Sequence, residues 1–295
     1  MAQNLYELVT SKIIAALDHG VVPWKKPWHV QSQIPVSLTA NKPYRGVNSL
    51  LLGLAPYEDH RWLTFKQIGT LGGQVKRGEK STQVVFWKFP EPSSDDEESK
   101  KARAPLLRYY SVFNVEQTEG LNVPALLDRK PVEERERIVK ADLLVKSMPN
   151  PPRIEETGTA AWYKPSQDLV QVPKIENFSS SDQFYLTLLH ELGHATGHKS
   201  RLNRKGVTDQ VHFGSGEYSK EELVAELTAA FCAAEVSLDN SLIGDSASYI
   251  ASWLKVLRND PKAIVFAAAQ AQKAADYIKG AQYGASNPSQ ALTPS

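Results

Sequence analysis

His190-Glu191-Leu192-Gly193-His194 sits inside an apolar run that begins near Phe184. Four residues turn an α-helix by about 400°, so the two histidines point within about 40° of each other and can reach one divalent ion. Glu191 projects beside them, where it can take a proton from water activated by that ion. Working outward, Ser180 followed by Gln183 offers a capping-box start, and Gly197 offers a stop or bend. Phe184, Leu188 and Leu192 recur every four residues. That ridge lies roughly opposite the histidines, because two residues turn about 200°. One face of the helix is expected to enter a core while the other presents metal ligands, an arrangement suited to hydrolysis of a peptide.

A catalytic zinc takes three protein ligands and leaves a position open for water. A third histidine at the spacing H-E-x-x-H-x-x-G-x-x-H would fall at position 200, which is Ser200, and His198 comes too early. Glu221-Glu222-Leu223-Val224-Ala225-Glu226, about thirty residues downstream, is the better source. Zincins of the glutamate type take their third ligand from a second helix, with an acidic or amide residue four positions later that hydrogen-bonds a ligating histidine. Glu222 and Glu226 have that spacing, Glu222 as ligand and Glu226 as its helper. The reverse assignment follows if Ser219-x-x-Glu222 forms a capping box that turns Glu222 back on its own backbone. Glu221, about 100° away around the helix, is expected to face solvent. Tyr218, His212 and His198 are available donors for a developing oxyanion.

The chain has 295 residues, enough for two domains, and a formal net charge of +1. Residues 1–90 hold eleven Lys/Arg and five Asp/Glu, a net of +6, which leaves −5 for residues 91–295. A basic N-terminal module that meets an anion, followed by a neutral or acidic one, is the expectation. Cys232 is the lone cysteine, which excludes a disulfide framework and a cysteine-rich zinc site. With no secretion-signal layout at Met1–Leu17 and no apolar stretch of transmembrane length, a cytoplasmic, membrane-free protein is expected.

Apolar spacing predicts helices over Leu5–Leu17, Tyr44–Leu54, Trp62–Leu71, Val132–Ser147, Lys220–Ala234, Ser246–Leu257 and Pro261–Ile278. Thr82–Phe89 and Leu106–Val115 read as strands, and Thr159–Val172 as a hairpin turning at 163–168. Residues 91–105, with acids from Asp95 to Glu98, read as a disordered loop, and 285–295 as a frayed tail. The fold class is α+β, with domains at 1–130 and 131–295.

The first ninety residues contain Trp24, Trp28, Trp62 and Trp87, and several aromatics adjoin cations. Cations track a phosphate backbone while aromatic faces stack unpaired bases, which suits single-stranded nucleic acid of mixed sequence. The candidate contacts are Trp24, Lys25, Lys26, Trp28, Tyr44, Arg45, Lys66, Lys76, Arg77 and Lys80. A packed helix face explains Trp62 and Phe65, at i and i+3, equally well.

Over nearly its whole length the chain resembles the ArdC antirestriction proteins of conjugative plasmids. The likeness rests on Pro23-Trp24, Asn41 to Asn48, Trp62 to Gln67 and Gly73 to Lys80 in the N-terminal half. In the C-terminal half it rests on His190 to His198 with Arg201, Glu221 to Glu226 and Asn259 to Ile264. The resemblance implies an N-terminal single-stranded-DNA-binding domain, a C-terminal zincin-like metallopeptidase domain with Zn2+ or another divalent ion such as Mn2+, and protection of incoming plasmid DNA from host restriction. Single-stranded DNA and a protein substrate of unknown identity are the implied partners. Two other functions compete: a DNA-coating protein with a structural or vestigial metal site, and an accessory to a plasmid primase.

Overall fold

The protein, described here by a computed structural model, is seen at residues 4–25, 34–88, 106–124, 133–208, 216–242 and 247–280. The expected loop at 91–105, the tail at 285–295, the 130/131 boundary, Lys26, Trp28 and His212 lie outside the described residues.

Helix α1 (Leu5–Asp18) starts where the Asn4 side chain accepts from the Tyr6 amide, and it buries Val9, Ile13 and Leu17. There follow β1 (Val36–Ser37), β2 (Lys42–Pro43), α2 (Val47–Gly53), β3 (Arg61–Thr64), α3 (Phe65–Thr70), β4 (Gln74–Val75), β5 (Thr82–Lys88), β6 (Leu106–Asn114) and β7 (Thr118–Glu119). Five of these strands form one sheet in the order β2-β1-β3-β6-β5, antiparallel except for the β1/β3 pair, and β4 pairs with β7. Side chains alternate along β5, so Val84 and Val85 enter different clusters on opposite faces of the sheet.

The expected helix over Trp62–Leu71 divides in two. Thr64 and Gln67 form a capping box: the Thr64 hydroxyl accepts from the Gln67 amide, and the Gln67 side chain accepts from the Thr64 amide at 2.8 Å. A cap of that kind starts a helix at the next residue, so Trp62 and Leu63 are left as strand, buried on both faces. The expected helix over Tyr44–Leu54 is also shorter, because Gly46, at φ +57, turns the chain just before α2.

The C-terminal half comprises α4 (Glu134–Lys146), β8 (Arg153–Glu156), β9 (Trp162–Lys164), β10 (Leu169–Val172), α5 (Ser181–Ala195), α6 (Lys205–Thr208), α7 (Gly216–Val236), α8 (Ala247–Asn259) and α9 (Ala263–Ile278). Strand β10 pairs antiparallel with β9, as the hairpin reading expected, and parallel with β8. Ser180 caps α5 by accepting from the Gln183 amide, while the Gln183 side chain reaches Ser179. Helix α7 packs between α5 and α9.

The two halves share one core. Val9, Ile13, Leu17, Trp24, Leu50 and Leu51 join Leu189, Leu223, Trp253 and Ile264 in a single hydrophobic cluster. Polar bonds cross the same seam: Thr10 Oγ1 donates to the Pro261 carbonyl at 2.6 Å, and the Gly46 amide donates to Gln272 Oε1 at 3.0 Å. The chain is α+β, and none of the helices among the described residues is long and apolar enough to cross a membrane.

Candidate metal centre and nucleic-acid face

Helices α5 and α7 lie unusually close where Gly193 separates the two histidines. A Cβ at Gly193 would stand 3.1 Å from Ala225 Cα and 3.2 Å from the Ala225 carbonyl oxygen, close enough that α7 would have to give by a few tenths of an ångström. That approach brings the acids of α7 under the imidazoles of α5.

Glu222 offers one carboxylate oxygen to each ring: Oε2 lies 3.5 Å from His190 Nε2, and Oε1 lies 3.5 Å from His194 Nε2. The ring nitrogens facing away are held separately. His190 Nδ1 is 3.2 Å from Glu226 Oε2, and His194 Nδ1 is 3.4 Å from Glu221 Oε1. The rings meet edge to face with centroids 4.9 Å apart. His190, His194 and Glu222 each present one donor atom, all within 4.8 Å of one another. Glu191 is buried beside them on α5.

The Ser219-x-x-Glu222 capping box, the condition for the reverse assignment, does not form, because α7 begins at Gly216 and Ser219 is already inside it, its hydroxyl 2.6 Å from that of Ser252. One detail differs from the reading of the sequence. Glu221 is buried rather than solvated, since Arg204 meets it with Nη2 at 2.5 Å from Oε1 and Nε at 3.1 Å from Oε2. Arg204 also donates to the Thr196 hydroxyl and the Gly193 carbonyl of α5. No spacing rule connects an arginine in a loop to a glutamate seventeen residues on, so sequence reasoning missed it. His198 stands apart, paired with Ser200 at 2.8 Å. Arg201 braces the site from outside: it donates to the Ala195 carbonyl at the end of α5 and forms an ion pair with Asp168 at the β9–β10 turn.

The electrostatics follow from burial opposed by pairing. Burial favours the neutral imidazoles, yet hydrogen bonds to Glu222 and Glu226 outweigh it and lift His190 well above its ordinary value. The same contest, with Glu221 and Glu222 as partners, raises His194 to about 9. Burial alone would push the carboxyls up, but the facing rings hold Glu222 well below the ordinary carboxylate range. His194 and Arg204 do the same for Glu221.

The expected nucleic-acid residues divide. Trp24 is fully buried, edge-on to Trp253 at 5.2 Å, and so cannot stack a base. Tyr44 is also interior, packed with Trp62 and Val112, and burial raises its hydroxyl to about 12. Sequence alone makes both candidate contacts because aromatics beside cations look alike whether they face water or core. Arg45 is engaged by Asp276, and Lys76 donates to the Glu116 carbonyl at 2.7 Å. Lys25 is half-buried, while Lys66, Arg77 and Lys80 are exposed. A further aromatic outside the candidate contacts is exposed: Phe65, 69% exposed at the start of α3, precedes Lys66 in the chain and tilts against Phe113 at 6.3 Å. Tyr109 on β6 is 53% exposed.

Both halves of the chain match known families. The family model for the N-terminal domain of anti-restriction factor ArdC matches residues 3–113, and that for a zincin-like metallopeptidase matches residues 140–270. DNA primase TraC of Escherichia coli is 37% identical over 92% of this chain, but the match spans only 20% of TraC. An uncharacterized protein of Sinorhizobium fredii is 38% identical over 95% of this chain and 92% of its own length. The metal-free crystal structure of antirestriction ArdC protein from the R388 plasmid is 33% identical, with a TM-score of 0.74, and covers 94% of this chain and 97% of that one. The Mn(II)-bound structure of the same protein gives 33% and 0.75, covering 96% and 100%. The chain therefore belongs to the ArdC family of antirestriction proteins and carries that family's N-terminal domain and a zincin-like domain.

Proposed function

We propose that this protein binds single-stranded DNA without sequence preference and carries a divalent-metal peptidase site, protecting incoming conjugative DNA from host restriction in the cytoplasm. The observation that carries the peptidase reading is the convergence of His190 Nε2, His194 Nε2 and Glu222, with each Nδ1 held from behind by a carboxylate.

Two imidazole nitrogens and one carboxylate oxygen suit Zn2+ and also accept Mn2+, and an R388 ArdC structure is Mn(II)-bound. His190, His194 and Glu222 would hold the ion, and Glu226 would fix the tautomer of His190. A bound ion would supply Lewis acidity, activating water and polarising a carbonyl. Glu191 accepts the proton that the water gives up and returns it to the leaving amine. A purely structural site has no use for Glu191 in that place, which favours catalysis over a vestigial scaffold.

For the N-terminal half, Phe65 offers a stacking surface and Lys66, Arg77 and Lys80 offer charge to phosphates. Expected behaviour is binding to mixed-sequence single strands that weakens steeply with salt. Equal affinity for blunt duplex would remove the stacking argument. The primase-accessory reading gains little from TraC, since four fifths of that protein lie outside the match. A conjugation assay with Glu191→Ala tests the enzyme: a variant that keeps metal but loses protection supports it, and unchanged protection contradicts it.

A further inference from the structure

Both metal-site histidines have a carboxylate behind Nδ1, but the two carboxylates are held differently. Glu226 meets His190 with Oε2, and its buried Oε1 has no hydrogen-bond partner among the described residues. Glu221 is gripped at both oxygens by Arg204, whose remaining donors reach Gly193 and Thr196 on α5. The guanidinium thus ties the helix that carries His194 to the acid that faces His194. It is 7% exposed, and the carboxylate it holds, Glu221, is buried on the same helix as Glu222 and Glu226. Like charges crowded in a low dielectric repel strongly, and a cation paired with one of them relieves that repulsion.

We infer that Arg204 is a positioning residue for the metal centre: it fixes Glu221 so that Glu221 accepts Nδ1–H of His194 and turns His194 Nε2 toward Glu222. The inference rests on the reading of His190, His194 and Glu222 as metal ligands. Its physical basis is the planar fork of arginine, which holds a carboxylate bidentately and sets its plane, as lysine cannot. A glutamate held in that way leaves an in-plane lone pair on Oε1 for the ring nitrogen 3.4 Å away. Hydrogen-bond partners of ligating histidines fix ring orientation and tautomer, and their loss costs roughly 10–100-fold in metal affinity.

The test uses the full-length chain, Mn(II) alone as probe, and three variants: Arg204→Lys, Glu221→Gln and the pair together. Arg204→Lys keeps the charge but loses the fork. Glu221→Gln keeps the shape but leaves one acceptor for Arg204 and His194 to share. Each single variant is expected to weaken Mn(II) binding by about 10–100-fold, and the double variant to lose no more than the worse single, since both act through one contact. In metal-free protein held above pH 9, where the His194 ring is neutral, imidazole nitrogen NMR should show His194 protonated at Nδ1 in the wild type and a mixture of tautomers in both variants. If Arg204→Lys does not fold, Glu221→Gln carries the same expectation alone.

Wild-type Mn(II) affinity and an unchanged His194 tautomer in the folded variants would overturn the inference, even with a lowered melting temperature. Additive losses in the double variant would do so too. Wild-type protein that takes up no Mn(II) would overturn the metal reading and this inference with it. Normal uptake by the wild type and by the variants would overturn this inference alone.

Discussion

The α5–α7 pair and the N-terminal basic module teach opposite lessons about side chains read from a sequence. On α5 the helix itself fixes the relation of His190 to His194, so residues four apart face one point wherever the helix is placed. In the N-terminal module the sequence offers a mixture of aromatics and cations, and mixture does not specify direction. There the fold withdrew Trp24 and Tyr44 into the interior and set out Phe65 instead.

The comparison can be broken at several points. Glu191→Gln should lower peptidase turnover by about 10²–10⁴-fold, the range expected for loss of a general base, with Mn(II) uptake intact by calorimetry. Trp24→Ala should cost about 3–5 kcal/mol in chemical denaturation, because Trp24 lies in the shared core against Trp253. If that variant kept its stability and lost only DNA affinity, the buried assignment would be wrong. Phe65→Ala should do the reverse, leaving the melting temperature unchanged while single-strand binding weakens by about 1–3 kcal/mol, as for one lost stacked base. Replacing Arg77 and Lys80 together by alanine should be milder still, flattening the salt dependence of binding by roughly 1–2 in log–log slope.

A separate effect is expected on pH. His194 is raised to about 9, so in the metal-free protein its contribution is fully present below its ordinary 6.5 and is lost as pH rises through 9. Glu222 is depressed, so its contribution is present above its ordinary 4.5 and is lost as pH falls. The cluster therefore stabilises the metal-free protein most between about pH 4.5 and 6.5, which thermal melts across pH can check. Metal uptake at pH 7 should release protons from the rings, read by calorimetry in buffers of different ionisation enthalpy.

Long elements were legible where one periodicity dominated. Leu5–Leu17 was expected and Leu5–Asp18 is found, and the spacing of Phe184, Leu188 and Leu192 placed the buried face of α5. Trp62–Leu71 failed because apolar residues three and four apart also occur in a strand buried on both faces, and the Thr64–Gln67 cap decided where the helix began. In the metal cluster, the spacing of Glu222 and Glu226 reported which acids share a helix face. It could not report Glu221, whose burial depends on Arg204 arriving from the segment between α5 and α7. The shared core was illegible for the same reason, since Trp24 and Trp253 meet only through tertiary packing.

The central claim is that His190, His194 and Glu222 form one metal centre. Anomalous diffraction from crystals of the full-length protein soaked in Mn(II) tests it most directly. The expected result is a single peak enclosed by the two Nε2 atoms and the Glu222 carboxylate, with Glu226 and Glu221 on the Nδ1 sides. A peak held by Glu226 in place of Glu222, or none between the histidines, would contradict it.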